Sequence, residues 1–229
     1  MSSDDDATSP TWRELAVARS LDPARVRAEN RVQRFLDAAV ELINSSPDKE
    51  FTVQDVVERS GQSLRSFYQY FAGKYELLLA LFEESVRSTA EQLRELVAEE
   101  MDPLQRVHRF AVEYYRMCRP AAKSRAKRAP TPAAMADFAQ QLLTAHPKEA
   151  ARAFVPLVSL FEELLNEAEA AGAIRPDLNH LRMVGVVLQA IMFNAFATTI
   201  SGSSARSDRD DPAEALWDVL LHGIGVSSR

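Results

Sequence analysis

A chain of 229 residues, 46% hydrophobic and 26% charged, has the balance of a soluble globular protein and the length to bury a substantial core in one or two domains. Its single cysteine, Cys118, excludes an internal disulfide framework and a four-cysteine metal site, and is consistent with a reducing cytoplasm. The net charge of −6 excludes a uniformly basic nucleic-acid binder but leaves room for a local basic surface.

Residues 1–22 read as a flexible tail, rich in Ser, Asp, Thr and Pro at its start. Acidic Asp4, Asp5 and Asp6 stand where a secretory leader would carry a basic start and an apolar run. Trp12 opens a stretch that can form a short helix. Asp22 followed by Pro23 reads as a cap with proline at the first helical position, so the first main helix is predicted over residues 23–44. Arg25, Arg27, Arg31 and Arg34 stud its first half. They suit either phosphate contacts or a solvated face with local pairing to Glu29. Leu36, Ala39, Val40 and Ile43 form its packing stripe. From Arg13 to Lys74 there are ten Lys/Arg against nine Asp/Glu, so this part of the chain is near neutral and the acidic excess lies elsewhere.

The most informative stretch is residues 51–78. Thr52 is placed to cap a short helix, with Asp55 completing a capping box. Val53, Val56 and Val57 are spaced for one face, and Gly61 supplies the positive φ that ends the helix. Ser63 caps a second helix whose apolar positions are Leu64, Phe67, Tyr68 and Phe71. Two short helices joined by this turn form a helix-turn-helix. Arg65, Ser66, Gln69 and Tyr70 fall outside its apolar set. Arg and Gln side chains can contact base edges in pairs of hydrogen bonds, and Ser and Tyr hydroxyls can reach phosphates or bases. Lys74, opening the next helix, can meet a phosphate. A helical hairpin with a merely solvated face satisfies the same spacing.

This stretch resembles the DNA-binding domain of TetR-family transcriptional regulators. The resemblance rests on Thr52, Ser60-Gly61, Ser63, Tyr68-Gln69-Tyr70-Phe71, Lys74 and Leu77-Leu78 in that order, preceded by residues 34–43 as the family's first helix. It implies an all-α protein with an amino-terminal three-helix DNA-binding domain, residues 23–74, and a carboxy-terminal helical ligand-binding and dimerisation domain, residues 75–229. The implied DNA-facing set is Thr52, Gln54, Ser63, Leu64, Arg65, Ser66, Tyr68, Gln69, Tyr70 and Lys74. Of these, Arg65, Gln69 and Tyr70 are assigned to bases or the groove, and Thr52, Ser63, Tyr68 and Lys74 to phosphates. Two positions depart from the family pattern. Gln62 stands where the turn usually carries Val, and Arg65-Ser66 where small residues are usual, so the operator preference of relatives does not carry over.

A helix is predicted over residues 75–101, carrying Leu78, Leu81, Phe82, Val86, Leu93 and Val97 inward. Asp102-Pro103 starts another, ended by Pro120. Residues 116–136 hold six basic residues and no acid, with three prolines. They read as a loop, either solvated or able to bind an anion. Helices follow over residues 132–145 and 147–171, the second with Pro156 as a point of kinking or division. Residues 178–200 and 212–224 form the last two. The apolar run over residues 183–200 is interrupted by Gln189 and Asn194 and reads as a buried or dimer-facing helix rather than a membrane span. By the resemblance, the last two long helices of two subunits form the interface of a homodimer, which presents two reading heads to a palindromic double-stranded operator.

The resemblance also implies a cavity for a small, mostly apolar effector. Phe110, Tyr114, Met117, Phe138, Phe161, Met192, Phe193 and Phe196 are candidates for its lining, with Tyr114, Gln189 or Asn194 as polar anchors. The same side chains equally serve as ordinary core. His108, His146, His180 and His222 stand in no metal-ligand spacing, and no nucleophile elbow, phosphate loop or dinucleotide fingerprint is present. No enzyme, metal or cofactor is therefore expected. The expected function is a cytoplasmic DNA-binding regulator, most simply a repressor. The alternative is a helical small-molecule-binding protein whose helix-turn-helix does not read DNA.

Overall fold

The computed structural model describes residues 12–45, 50–119, 135–176, 179–200 and 211–224, with side chains from Pro23 to Ser45 in the first helix and up to Ala195 in the eighth. Every element among the described residues is helical: α1 (Trp12–Ser45), α2 (Val53–Ser60), α3 (Leu64–Tyr70), α4 (Lys74–Val97), α5 (Pro103–Cys118), α6 (Ala136–Ala145), α7 (Pro147–Ala170), α8 (His180–Ile200) and α9 (Pro212–Ile224). Most of the basic stretch over residues 116–136, and the start of the helix predicted from residue 132, lie outside the described residues, as do residues 1–11.

Three boundaries differ from the sequence expectation. The first helix begins at Trp12 and runs through Pro23 rather than starting there. Proline's fixed φ is compatible with a helix, and only one backbone bond is forfeited. The Leu, Ala, Arg and Glu residues around it have high helix propensity and carry the helix across. Pro156 likewise lies inside an unbroken α7. The helix predicted to residue 101 stops at Val97, and Met101 beyond it is almost wholly exposed.

The amino-terminal unit is built from local signals that agree with one another. Thr52 Oγ1 accepts the Asp55 amide at 3.2 Å, and the Asp55 carboxylate accepts the Thr52 amide at 2.7 Å, which satisfies two amino-terminal donors of α2. Gly61 closes α2 at φ 63°, ψ 25°, with its amide and that of Gln62 donating to Glu58 and Val57 carbonyls, the double bond of a left-handed helix stop. Ser63 Oγ then accepts the Ser66 amide at 3.1 Å to start α3. A helix of 7 residues has too little cooperativity to stand alone, so its packing must hold it. That packing is aromatic. Phe67 is fully buried, its ring 5.4 Å from Phe35 of α1 in an edge-to-face contact and 5.4 Å from Phe71. Val56 and Val57 of α2 complete this core.

One hydrophobic core continues from there along α4 into the rest of the chain. Helix α4 packs on α5 and α7; α5 in turn packs on α7, α8 and α9. Phe110 of α5 and Phe161 of α7 stack at 4.7 Å with ring planes 19° apart. Ion pairs pin the same helices at the surface. Arg94 and Glu163 meet at 2.9 Å, Arg152 and Glu83 at 2.9 Å, and Arg106 binds Glu167. Helix α9 is held on α5 by His108–Glu214 and Arg116–Asp211, both at 2.7 Å. The Arg116 guanidinium holds the Asp211 carboxyl below its ordinary range. Among the described residues no helix is long and apolar enough to cross a membrane.

Candidate functional site: nucleic-acid interface and regulatory core

On α3 the residues sort by angle around a helix that turns about 100° per residue. Phe67 and Phe71 point inward, which leaves Leu64, Arg65, Tyr68 and Gln69 together on the outer side, all exposed. Leu64 and Tyr68 were expected in the apolar set. They are instead 44% and 56% exposed, because one short helix buries a single narrow stripe against Phe35. The opposite correction applies to Ser66 and Tyr70. Tyr70 is half-buried against the core, and the Ser66 hydroxyl is buried without a hydrogen-bond partner. The predicted readers therefore divide: Leu64, Arg65, Tyr68 and Gln69 form one outer face, while Ser66 and Tyr70 line its inner edge.

The flanking donors are also placed. Gln54 and Thr52 are exposed at the first turn of α2, and Ser63 at the start of α3. The Thr52 hydroxyl donates to Asp55 at 2.7 Å, so its proton is already engaged; the Ser63 proton is not used by the cap. Lys74, the first residue of α4, lies with Nζ 4.8 Å above the Phe51 ring and 3.8 Å from the Glu50 carboxylate. Glu50 is 98% exposed, so this is a weak tether that a phosphate can replace. Sequence reasoning missed both partners, which lie 23 and 24 positions away and meet Lys74 only through the tertiary fold.

The described effector candidates divide between core and surface. Phe110, Tyr114 and Phe161 are buried between α5 and α7, and Met117 is half-buried beside them. Met192 is buried, but Gln189, Phe193 and Asn194 lie exposed on the outside of α8; the Phe196 side chain lies outside the described residues. Among the described residues a crevice sits among α5, α7, α8 and α9. It is lined by Val107, Ala111, Phe161, Leu165, Met183, Val187, Trp217 and Leu220, and encloses about 10 Å³. That is room for about one water, on a wholly apolar lining. Among these residues only Phe161 was on the predicted list. The signal that could have found the others is the pairing of apolar stripes on α5 and α9, which depends on which helices are neighbours.

Tyr114 and Cys118, one turn apart on α5, share a hydrogen bond inside this core. Burial first, and the neighbouring thiol second, push the Tyr114 hydroxyl well above its ordinary pKa. Burial pushes the Cys118 thiol up to about 12 against the opposing hydrogen bond from Tyr114. The thiolate is the reactive form, so Cys118 is expected to resist alkylation at pH 8 in the folded protein and to react fully once unfolded. Counting modified thiol by mass in native and denaturing buffer checks this. Rapid native labelling contradicts the closed core.

Residues 35–81 match the family model described as bacterial regulatory proteins, tetR family. A curated relative from Bacillus subtilis (strain 168), the uncharacterized HTH-type transcriptional regulator YvdT, is 26% identical over 68 residues, 30% of this chain and 35% of that protein. The match thus spans about a third of that relative's length. Among solved structures, FadR of Thermus thermophilus, a TetR-family transcriptional repressor in complex with lauroyl-CoA, aligns with a TM-score of 0.61 at 23% identity, covering 86% of this chain and 97% of that one. FadR from Bacillus subtilis in complex with stearoyl-CoA aligns with a TM-score of 0.62 at 16% identity, covering 83% and 98%. At such identities the structures establish a common fold. The family match falls on the helix-turn-helix whose caps, turn and aromatic core are described above, and the chain as a whole shares the fold of solved TetR-family proteins.

Proposed function

We propose that the protein is a homodimeric repressor that occupies a palindromic operator and is released by a small, mostly apolar effector. The observation that carries the DNA half is the outer face of α3. Leu64, Arg65, Tyr68 and Gln69 stand exposed on a helix capped at its start and held by a buried aromatic cluster, and Lys74 opens the helix that follows. Arg65 and Gln69 supply paired donors for base edges. Leu64 offers an apolar contact for a thymine methyl, and Tyr68, Ser63 and Lys74 supply phosphate contacts. Residues up to Lys74 form the reading head and residues from Tyr75 the regulatory part.

The dimer forms through α8 and α9. Val186 is 63%, Phe193 45% and Val219 70% exposed, so both helices present large apolar side chains outward after packing on α5 and α7. Acyl-CoA complexes of two structural relatives support an effector with a long apolar part. The crevice between α5 and α9 is too small for such a molecule as it stands, so the effector selects a state in which these helices separate. The consequence reaches the reading head along α4. Tyr75, next to Lys74, rests its ring 5.8 Å from Phe138 of α6 and 4.7 Å from His146 at the α6–α7 joint. A shift of α6 and α7 therefore moves the first turn of α4 and changes the spacing of the two heads.

Selection from a random-sequence duplex pool at moderate salt tests this reading. The expected product is an inverted repeat with half-sites about one or two helical turns apart, bound by a dimer. A pool left unenriched by folded, dimeric protein favours instead a helical small-molecule-binding protein that does not read DNA.

A further inference from the structure

We propose that the amino-terminal half of α1 is a second DNA-binding surface, which lays Arg27, Arg31 and Arg34 along the phosphates that flank the half-site. The inference rests on the DNA-binding reading and extends it beyond the helix-turn-helix. From Pro23 to Arg34 not one side chain is buried; burial begins at Phe35, whose ring packs on Phe67 of α3. The exposed stretch thus starts where α1 leaves the reading head, and α1 packs chiefly on α2 and α4. Spacings of 4 and 3 residues put Arg27, Arg31 and Arg34 on one stripe.

The charge arrangement is what points to a polyanion. Residues 23–34 hold four arginines and one glutamate, and that glutamate, Glu29, is taken by Arg25 at 2.8 Å. Elsewhere most of the described arginines find carboxylates: Arg59, Arg87, Arg94, Arg106, Arg109, Arg116 and Arg152 each have one within 4 Å. Among the described residues Arg27, Arg31 and Arg34 have none; Arg65, Arg119 and Arg182 share that condition singly, whereas these three lie in a row on one helix. Like charges one helical turn apart repel. In a chain with 33 acidic residues this stripe is left without a carboxylate partner, directly beside the DNA-reading core. A row of phosphates is its complement. The 12 residues span about 18 Å as a helix, or about five base pairs of flanking duplex.

The test uses the full chain and the duplex it selects, with flanks long enough to reach past each half-site and with flanks trimmed. The variant carries Arg27→Gln, Arg31→Gln and Arg34→Gln together. On long flanks its slope of log K against log salt is expected to fall by about 3 to 5, since each phosphate neutralised contributes about 0.9 and two subunits bind. Affinity at 0.15 M salt is expected to fall at least about tenfold, with the selected sequence unchanged. Trimming the flanks should bring the wild type down towards the variant, a readout that does not depend on how the variant folds. Replacement of the three by Lys should keep the slope. Equal slopes for wild type and variant, with no effect of trimming, overturn the inference while leaving the DNA-reading assignment intact. A wild type that binds no duplex at all overturns both.

Discussion

Phe67→Ala is expected to dismantle the reading head and abolish operator binding. Phe67 is the only residue of α3 that is buried, and it meets Phe35, Phe71 and Tyr68 rings at once, at 5.4, 5.4 and 5.5 Å. Removing a fully buried phenyl ring typically costs about 3–5 kcal/mol, the lost transfer energy plus a cavity its neighbours only partly fill. A helix of 7 residues has no reserve with which to absorb that loss. The regulatory core draws its stability from other contacts, among them the Phe110–Phe161 stack and the ion pairs between α4 and α7. Thermal unfolding followed by circular dichroism should therefore show an early loss of part of the helical signal, with the dimer retained, and no specific DNA binding. A variant that melts like the wild type and still binds its duplex contradicts the role given to the aromatic cluster.

Arg65→Ala is expected to weaken binding by about 1–3 kcal/mol, about five- to 150-fold, for each half-site of the selected duplex, and to relax the preference at one base position. The expectation follows from its place. Arg65 is exposed on the outer face of α3 with no carboxylate partner among the described residues, and the face it shares with Gln69 is the one that the Phe35–Phe67 contact turns away from the core. Lys74→Ala is the comparison that separates reading from holding. Its charge sits at the start of α4, tethered only to the exposed Glu50. Its loss should weaken all duplexes alike and lower the salt slope by about 2 for the dimer. Binding curves at several salt concentrations, on the selected duplex and on a scrambled one, distinguish the two outcomes. Identical behaviour of the two variants contradicts the division of roles.

Sequence reasoning reached the helix-turn-helix in detail because its signals are local. Thr52 with Asp55, Gly61 and Ser63 act on backbone groups within a few positions, and each appears in the structure as the spacing implies. The faces of α3 were less legible. Periodicity alone placed Leu64 and Tyr68 inward and Ser66 and Tyr70 outward, since a 7-residue helix offers too few positions to fix the angle of its buried stripe. That angle is set by Phe35, on another helix. Proline read as a start signal misplaced the beginning of α1, where local propensity outweighs one lost bond. The regulatory core was the least legible part. Aromatic and methionine residues on α5, α7 and α8 gave a list of large side chains but not their neighbours. Gln189 and Phe193 face outward, and Trp217 of α9, absent from that list, lines the crevice.

The most direct measurement is selection from a random-sequence duplex pool by the wild type and by Arg65→Ala, run side by side at the same salt. The wild type is expected to enrich an inverted repeat, and the variant to enrich repeats of the same spacing with at least one position in each half-site degenerate. The same consensus from both proteins would remove Arg65 and the outer face of α3 from base reading. No consensus from either would contradict the claim that this helix-turn-helix reads DNA.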